Sequence, residues 1–180
     1  MIPNFPMMRT LAIAGILACL IPIAYSQKAT ASVADKKFVH TSLQGGMAEV
    51  EMGKLTMAKG KSEDVKQFGQ QMVKDHTELG QQMKLVAQRI GVTPPDGVSA
   101  MQKATELKLK ALSGDSFDKA YISAMVKDHK EDLEEFKTEA ANGQSAAVKE
   151  AATKGSAVIE EHLQMITQIA QAHNIDSGTK

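Results

Sequence analysis

The chain has 180 residues, 43% of them hydrophobic and 4% aromatic, with no tryptophan; that is enough apolar surface for one core, and its Met, Leu, Val and Ala favour helices over sheets. Lys+Arg and Asp+Glu balance at 21 each, Arg89 is the only arginine after Arg9, and the lysines are interspersed with acids, which points away from a nucleic-acid partner. No Gly-rich phosphate loop, zinc-protease motif or serine or cysteine nucleophile context is present, so the sequence points to a non-enzymatic protein rather than an enzyme.

Residues 1–26 read as a secretory signal peptide: Arg9 precedes an apolar run from Leu11 to Ala24, and Ala24-Tyr25-Ser26 places small residues at the cleavage positions. The expected destination is the periplasm. Cys19, which follows Leu17-Ala18, gives an alternative, a lipid anchor. Cleavage after Ser26 removes the single cysteine, so the mature chain is expected to be stable from packing alone, without disulfides. A short polar linker over 27–34 then leads into one helical domain over 35–176.

The first amphipathic segment runs from about Ala34 to Ala58, with Phe38, Ser42, Gly45, Ala48, Met52 and Leu55 on one face. Gly60-Lys61-Ser62 breaks it, and Ser62-Glu63-Asp64 predicts a capped start for the second helix. That helix carries the clearest stripe in the chain, Val65, Phe68, Met72, His76, Leu79, Met83, Val86 and Ile90, and stops at Gly91 and Pro94-Pro95. A shorter helix is expected from Ser99 to Leu112. The third long helix follows Ser116, with Phe117, Tyr121, Met125, His129, Leu133, Phe136 and Ala140 on one face. After Asn142-Gly143 a fourth carries Val148, Ala151, Gly155, Val158, His162, Met165 and Ile169 to about His173. The expected fold is therefore all-α, a ferritin-like four-helix bundle with a short extra helix between helices two and three, in a connection long enough to cross the bundle.

The pentapeptide Met-Val-Lys-Asp-His occurs at 72–76 and again at 125–129. It reads either as the remains of a duplicated hairpin or as two contributions to one site. His76, His129 and His162 all fall near the centres of their stripes, so three helices point an imidazole at the core. Asp75, Asp128 and Glu161 each precede one of them, and Met72, Met125 and Met165 lie within four residues. Imidazole with carboxylate suits iron or manganese, and imidazole with thioether suits copper. The candidate metal ligands are His76, His129, His162, Glu49, Asp75 and Asp128, with Met72, Met125 and Met165 as possible soft ligands. The competing reading makes the histidines satisfied core residues of a structural or interaction module, with an envelope protein or membrane surface as its partner. Counting from the turns puts Glu49 and His76 about four residues apart in depth, ~6 Å, close enough to share a site. The same count separates His129 from His162 by about six residues, ~9 Å, and makes Tyr121 the neighbour of His162.

With "GGMAEVEMGKLTMAKGKSEDVKQFGQQMVKDH", "FDKAYISAMVKDH" and "EEHLQMI" in view, the chain resembles, from about Lys37 to Ala172, a large family of bacterial envelope proteins catalogued as a domain of unknown function and often labelled membrane or outer-membrane proteins. The resemblance implies a ferritin-like fold and export to the envelope, with no established reaction. The Glu-x-x-His pattern of ferritin-superfamily iron sites is absent, since Val73, Val126 and Ile159 stand three residues before the histidines. The fold is carried over and the ferroxidase is not.

Overall fold

The computed structural model describes residues 30–178; the expected signal segment, with Cys19, lies outside them. Among the described residues there are five helices and no strand: α1 (Val33–Lys59), α2 (Glu63–Ile90), α3 (Ala100–Lys110), α4 (Gly114–Asn142) and α5 (Ala146–Ala172). Two starts carry reciprocal capping boxes, Ser32 with Asp35 on α1 and Ser99 with Gln102 on α3. α2 ends on Gly91 at φ 71°, a left-handed turn that glycine adopts without strain, and the Val92 N–H returns to the Ala87 carbonyl. The α4 helix begins ahead of Ser116 because the Ser113 carbonyl accepts the Phe117 N–H.

Ser62 does not cap α2 with its side chain. Asp118 of α4 instead holds the turn ahead of α2, its carboxylate accepting the N–H groups of Lys61 and Ser62 at 2.9 Å each. The opposite end of the bundle repeats the device. Asp35 of α1, fully buried, accepts Gln144 N–H at 3.0 Å and Ser145 N–H at 3.2 Å where α5 begins.

These contacts fix the topology. The α1–α2 turn lies against the start of α4, and the start of α1 lies against the α4–α5 turn. Hence α2 and α4 run parallel, and the connection between them, which contains α3, returns along the length of the bundle. α1 packs on α2 and α4, and α5 packs on α4 and α2. α1 and α2 come closest at Gly53 and Gly69, where a Cβ on Gly53 would stand 2.7 Å from the Gly69 carbonyl oxygen.

The buried face of α5 is Val148, Ala152, Gly155, Ile159, His162, Ile166 and Ala170. It is turned by one residue from the expected stripe at four of its seven positions. Apolar residues occupy both registers, at 151/152, 158/159, 165/166 and 169/170, so periodicity could not choose between them. The branched Ile159 and Ile166 go inward, and Met165 lies beside the core instead.

The core is in two parts. Phe38, Val39, Leu43, Met83, Ala87, Val148 and Ala152 form one apolar cluster. Ala48, Met52, Val65, Phe68, Met72, Phe117, Tyr121, Ile122, Met125 and Ile166 form most of the other. A layer of polar side chains separates them.

Candidate metal centre

Each long helix sends one polar residue into this layer: Glu49 from α1, His76 from α2, His129 from α4 and His162 from α5. They are 5%, 5%, 0% and 1% exposed, so every polar atom among them needs a partner inside the protein. Phe68 stands beside the layer, its ring centroid 6.2 Å from that of His129 and 6.1 Å from that of His162.

The outward-facing nitrogens are all engaged. His76 Nδ1 lies 2.8 Å from Glu49 Oε2. His162 Nε2 lies 2.9 Å from Asp75 Oδ2, an oxygen that also accepts the Gln71 amide at 2.6 Å. His129 Nδ1 lies 3.0 Å from the Met125 carbonyl oxygen. Carboxylates and a carbonyl only accept, so each of these nitrogens carries a hydrogen and donates it. In the neutral rings the remaining nitrogens, His76 Nε2, His162 Nδ1 and His129 Nε2, are then bare lone pairs.

Those bare nitrogens face one another. His76 Nε2 and His162 Nδ1 are 3.3 Å apart, and one nitrogen from each of the three rings lies within 4.8 Å of the others. His129 Nε2 and Glu49 Oε1 are both buried without a hydrogen-bond partner and stand 3.7 Å apart. Lone pairs set against lone pairs repel, and a positive charge between them reverses the sign. A proton or a metal cation can supply it.

The ionisation of the groups follows from the same contacts. Burial works against charge on His76, but the Glu49 carboxylate, by its charge and hydrogen bond, holds the imidazole above its ordinary pKa. Burial would raise Glu49, yet His76, with His129 and His162 nearby, holds it below the usual carboxylate range. Burial pushes His129 down to about 4, against the pull of Glu49. Burial also lowers His162, despite its hydrogen bond to Asp75. Burial opposes the charge on Asp75, but the His162 and Gln71 hydrogen bonds keep it low. With no metal, one proton on His76 satisfies the His76–His162 contact, while the His129–Glu49 contact stays unsatisfied.

His129 and His162 lie closer in depth than the count from the turns gives. His129 and His162 have ring centroids 5.5 Å apart, and Tyr121 packs on Phe117 and Phe68, not on His162. The turn residues Gly143 to Ser145 do not advance along the axis. Counted from the helix ends at Asn142 and Ala146, the two histidines differ in depth by about three residues, ~4.5 Å.

Asp75 serves His162 of another helix rather than its own neighbour. Asp128 is half-buried in a groove between α1, α3 and α4 that no histidine lines; burial and the charge of Glu49 push it up to about 6. Met72 and Met125 belong to the apolar cluster. Met165 lines a surface groove between α2 and α5 with Gln71 and Ile169. Sequence reasoning passed over Asp132, whose carboxyl is pushed up to about 8 by burial and by the charges of Glu49 and Asp128. The available signal was its spacing, three residues after His129 and four after Asp128, on one helical face.

The sequence profile of a domain of unknown function, DUF4142, matches residues 22–169. No functionally curated protein matches the chain in sequence. Among solved structures, the chain is similar in fold to a DUF305 fragment from Deinococcus radiodurans, with a TM-score of 0.70 and 13% identity over 79% of this chain and 98% of that one. It is also similar to a DUF305 protein from Streptomyces coelicolor, inferred to be secreted, with a TM-score of 0.67 and 16% identity over 82% of this chain and 98% of that one. At such identities the likeness is one of fold, a helical bundle.

Proposed function

The chain belongs to the DUF4142 family, and we propose that it is an exported bundle protein that binds one transition-metal cation through His76, His129 and His162, with Glu49 as the acceptor that holds the His76 ring. The observation that carries this reading is the convergence of three bare imidazole nitrogens whose opposite nitrogens are all held by acceptors. That is the arrangement of metal-ligating histidines, in which the second nitrogen donates to a carboxylate or carbonyl that fixes the tautomer and raises the basicity of the ligand. The 3.3 Å separation of His76 Nε2 and His162 Nδ1 is close to the ~3.4 Å edge of a tetrahedron with metal–nitrogen bonds of about 2.1 Å.

The donor set of imidazoles, with Met165 in a surface groove, favours iron, manganese or another divalent ion over reduced copper. Ion handling in the periplasm or elsewhere in the bacterial envelope suits such a site, and the signal-like segment 1–26 supports export. The single crossing connection supports a ferritin-like arrangement. No helix among the described residues is long and apolar enough to cross a membrane.

A second reading has its own support: the raised pKa of His76 lets one proton bind the layer together, as in a purely structural module with an envelope partner. Elemental analysis of untagged protein, before and after exposure to iron, manganese, copper, cobalt and zinc, decides between them. One ion per chain, lost in the His76→Leu/His129→Leu variant while the helical circular dichroism persists, is the expected result. A folded protein that stays metal-free throughout would leave the structural module.

A further inference from the structure

Mid-helix glycine is destabilising by roughly 0.5–1 kcal/mol relative to alanine, and in α1 and α2 it occurs for two different reasons. Gly53 and Gly69 sit where the helices touch, and a Cβ at either would meet the facing backbone at 3.0 Å or less. Gly45 and Gly80 are the opposite case, since a Cβ there would meet nothing within 4 Å, and at Gly46 it would meet only the His76 carbonyl oxygen at 3.9 Å. Packing does not require these three. All of them line one cavity of about 50 Å3, whose wall also includes Glu49 and His76.

The rim of this cavity includes the exposed Gln82 and Glu135 and its floor the buried Glu49 and His76, so it leads from the surface to the histidine layer. Its volume holds roughly three to five water molecules, which suits a partly hydrated ion and excludes a larger organic ligand. Glu49, 5% exposed, keeps Oε1 without a partner at the floor, and Ser42 Oγ on the wall is likewise buried and unpaired. No lysine or arginine lines it, while Glu49, Asp132 and Glu135 do. Oxygen donors without basic side chains select a cation over an anion.

Resting on the metal-binding reading, we infer that this cavity is the passage by which a divalent cation reaches His76, His129 and His162, held open by Gly45, Gly46 and Gly80. The wider groove between α1, α3 and α4 reaches Glu49 but none of the three histidines. A leucine at Gly80 or Gly46 would fill the passage without replacing a ligand.

The test is stopped-flow loading of the purified apo protein with cobalt(II), followed by its visible absorption, in wild type, Gly80→Leu, Gly46→Leu and the control Gly97→Leu. Gly97 lies outside the helices and the cavity, with nothing within 4 Å of its Cβ position. The expected result is at least a tenfold slower loading in Gly80→Leu and Gly46→Leu, with unchanged final stoichiometry, and a wild-type rate in Gly97→Leu. Gly80→Leu alone carries the test if Gly46→Leu does not fold. Cobalt binding at the wild-type rate in Gly80→Leu overturns the passage and leaves the metal site standing. Failure of wild type to bind any cobalt, iron, manganese, copper or zinc overturns both.

Discussion

At the scale of single residues, the histidine layer is a set of groups whose folded and unfolded ionisation differ in opposite directions. Burial takes His129 to about 4, below its value in an unfolded chain near 6.5. The unfolded state therefore binds more protons between these limits, and stability falls as pH drops from about 6.5 through about 4. His129→Leu should flatten this acid limb in the metal-free protein, by an amount bounded at about 3 kcal/mol by linkage; urea titrations at pH 4 and pH 7 check it. Asp132 has the reverse sign. Its folded value of about 8 lies above the ordinary carboxylate value, so its contribution is present at low pH and is lost as pH rises through about 8. Asp132→Asn should raise the thermal midpoint at pH 8.5 more than at pH 5, read by calorimetry on the apo protein. The inward direction of the three histidines was legible, because each sits in an unbroken apolar stripe. The partners were not, because Asp75 and Glu49 act across helices and no spacing along one helix records that.

At the scale of helices, lengths and breaks were legible from Gly60, Gly91, Pro94-Pro95 and Asn142-Gly143, and the five helices stand close to where those residues put them. The α5 register was not, because the two apolar faces are equivalent in pattern and only the shape of the neighbouring helices chooses Ile159 and Ile166. Glycine also carries meanings that sequence does not separate. Gly53→Ala would press a methyl group against the Gly69 carbonyl oxygen and the Val73 side chain at 2.7 and 2.9 Å and should destabilise by about 1–3 kcal/mol. Gly80→Ala enters open space and should stabilise by about 0.5–1 kcal/mol. Denaturant midpoints of the two variants should move in opposite directions; a shared sign would contradict the close approach of α1 and α2.

At the scale of the whole molecule, a ligand that binds only the folded bundle stabilises it by mass action. At a free metal concentration of a hundred times Kd the gain is about 2.7 kcal/mol, which for a domain of this size raises Tm by roughly 5–10 °C. Differential scanning calorimetry should show that shift in wild type and none in His76→Leu/His129→Leu. Where His76 is protonated the ion should displace that proton, so release on binding should grow as pH falls through the raised pKa of His76; calorimetric titration in two buffers of different ionisation enthalpy, at several pH values, measures it. Release of no proton would mean that His76 is already neutral.

The end carboxylates have a consequence for how the chain folds. Neither Ser62 nor Ser145 caps its own helix with a side chain, and the N–H groups of the two residues just ahead of α2 and just ahead of α5 are held by Asp118 and Asp35, each from the other hairpin. A hairpin on its own therefore lacks the acceptors that hold the turn leading into its second helix, and gains them only on docking. Docking and the fixing of these turns are one event at each end of the molecule, so the two halves should lose their structure together in a single cooperative transition rather than peel apart in succession.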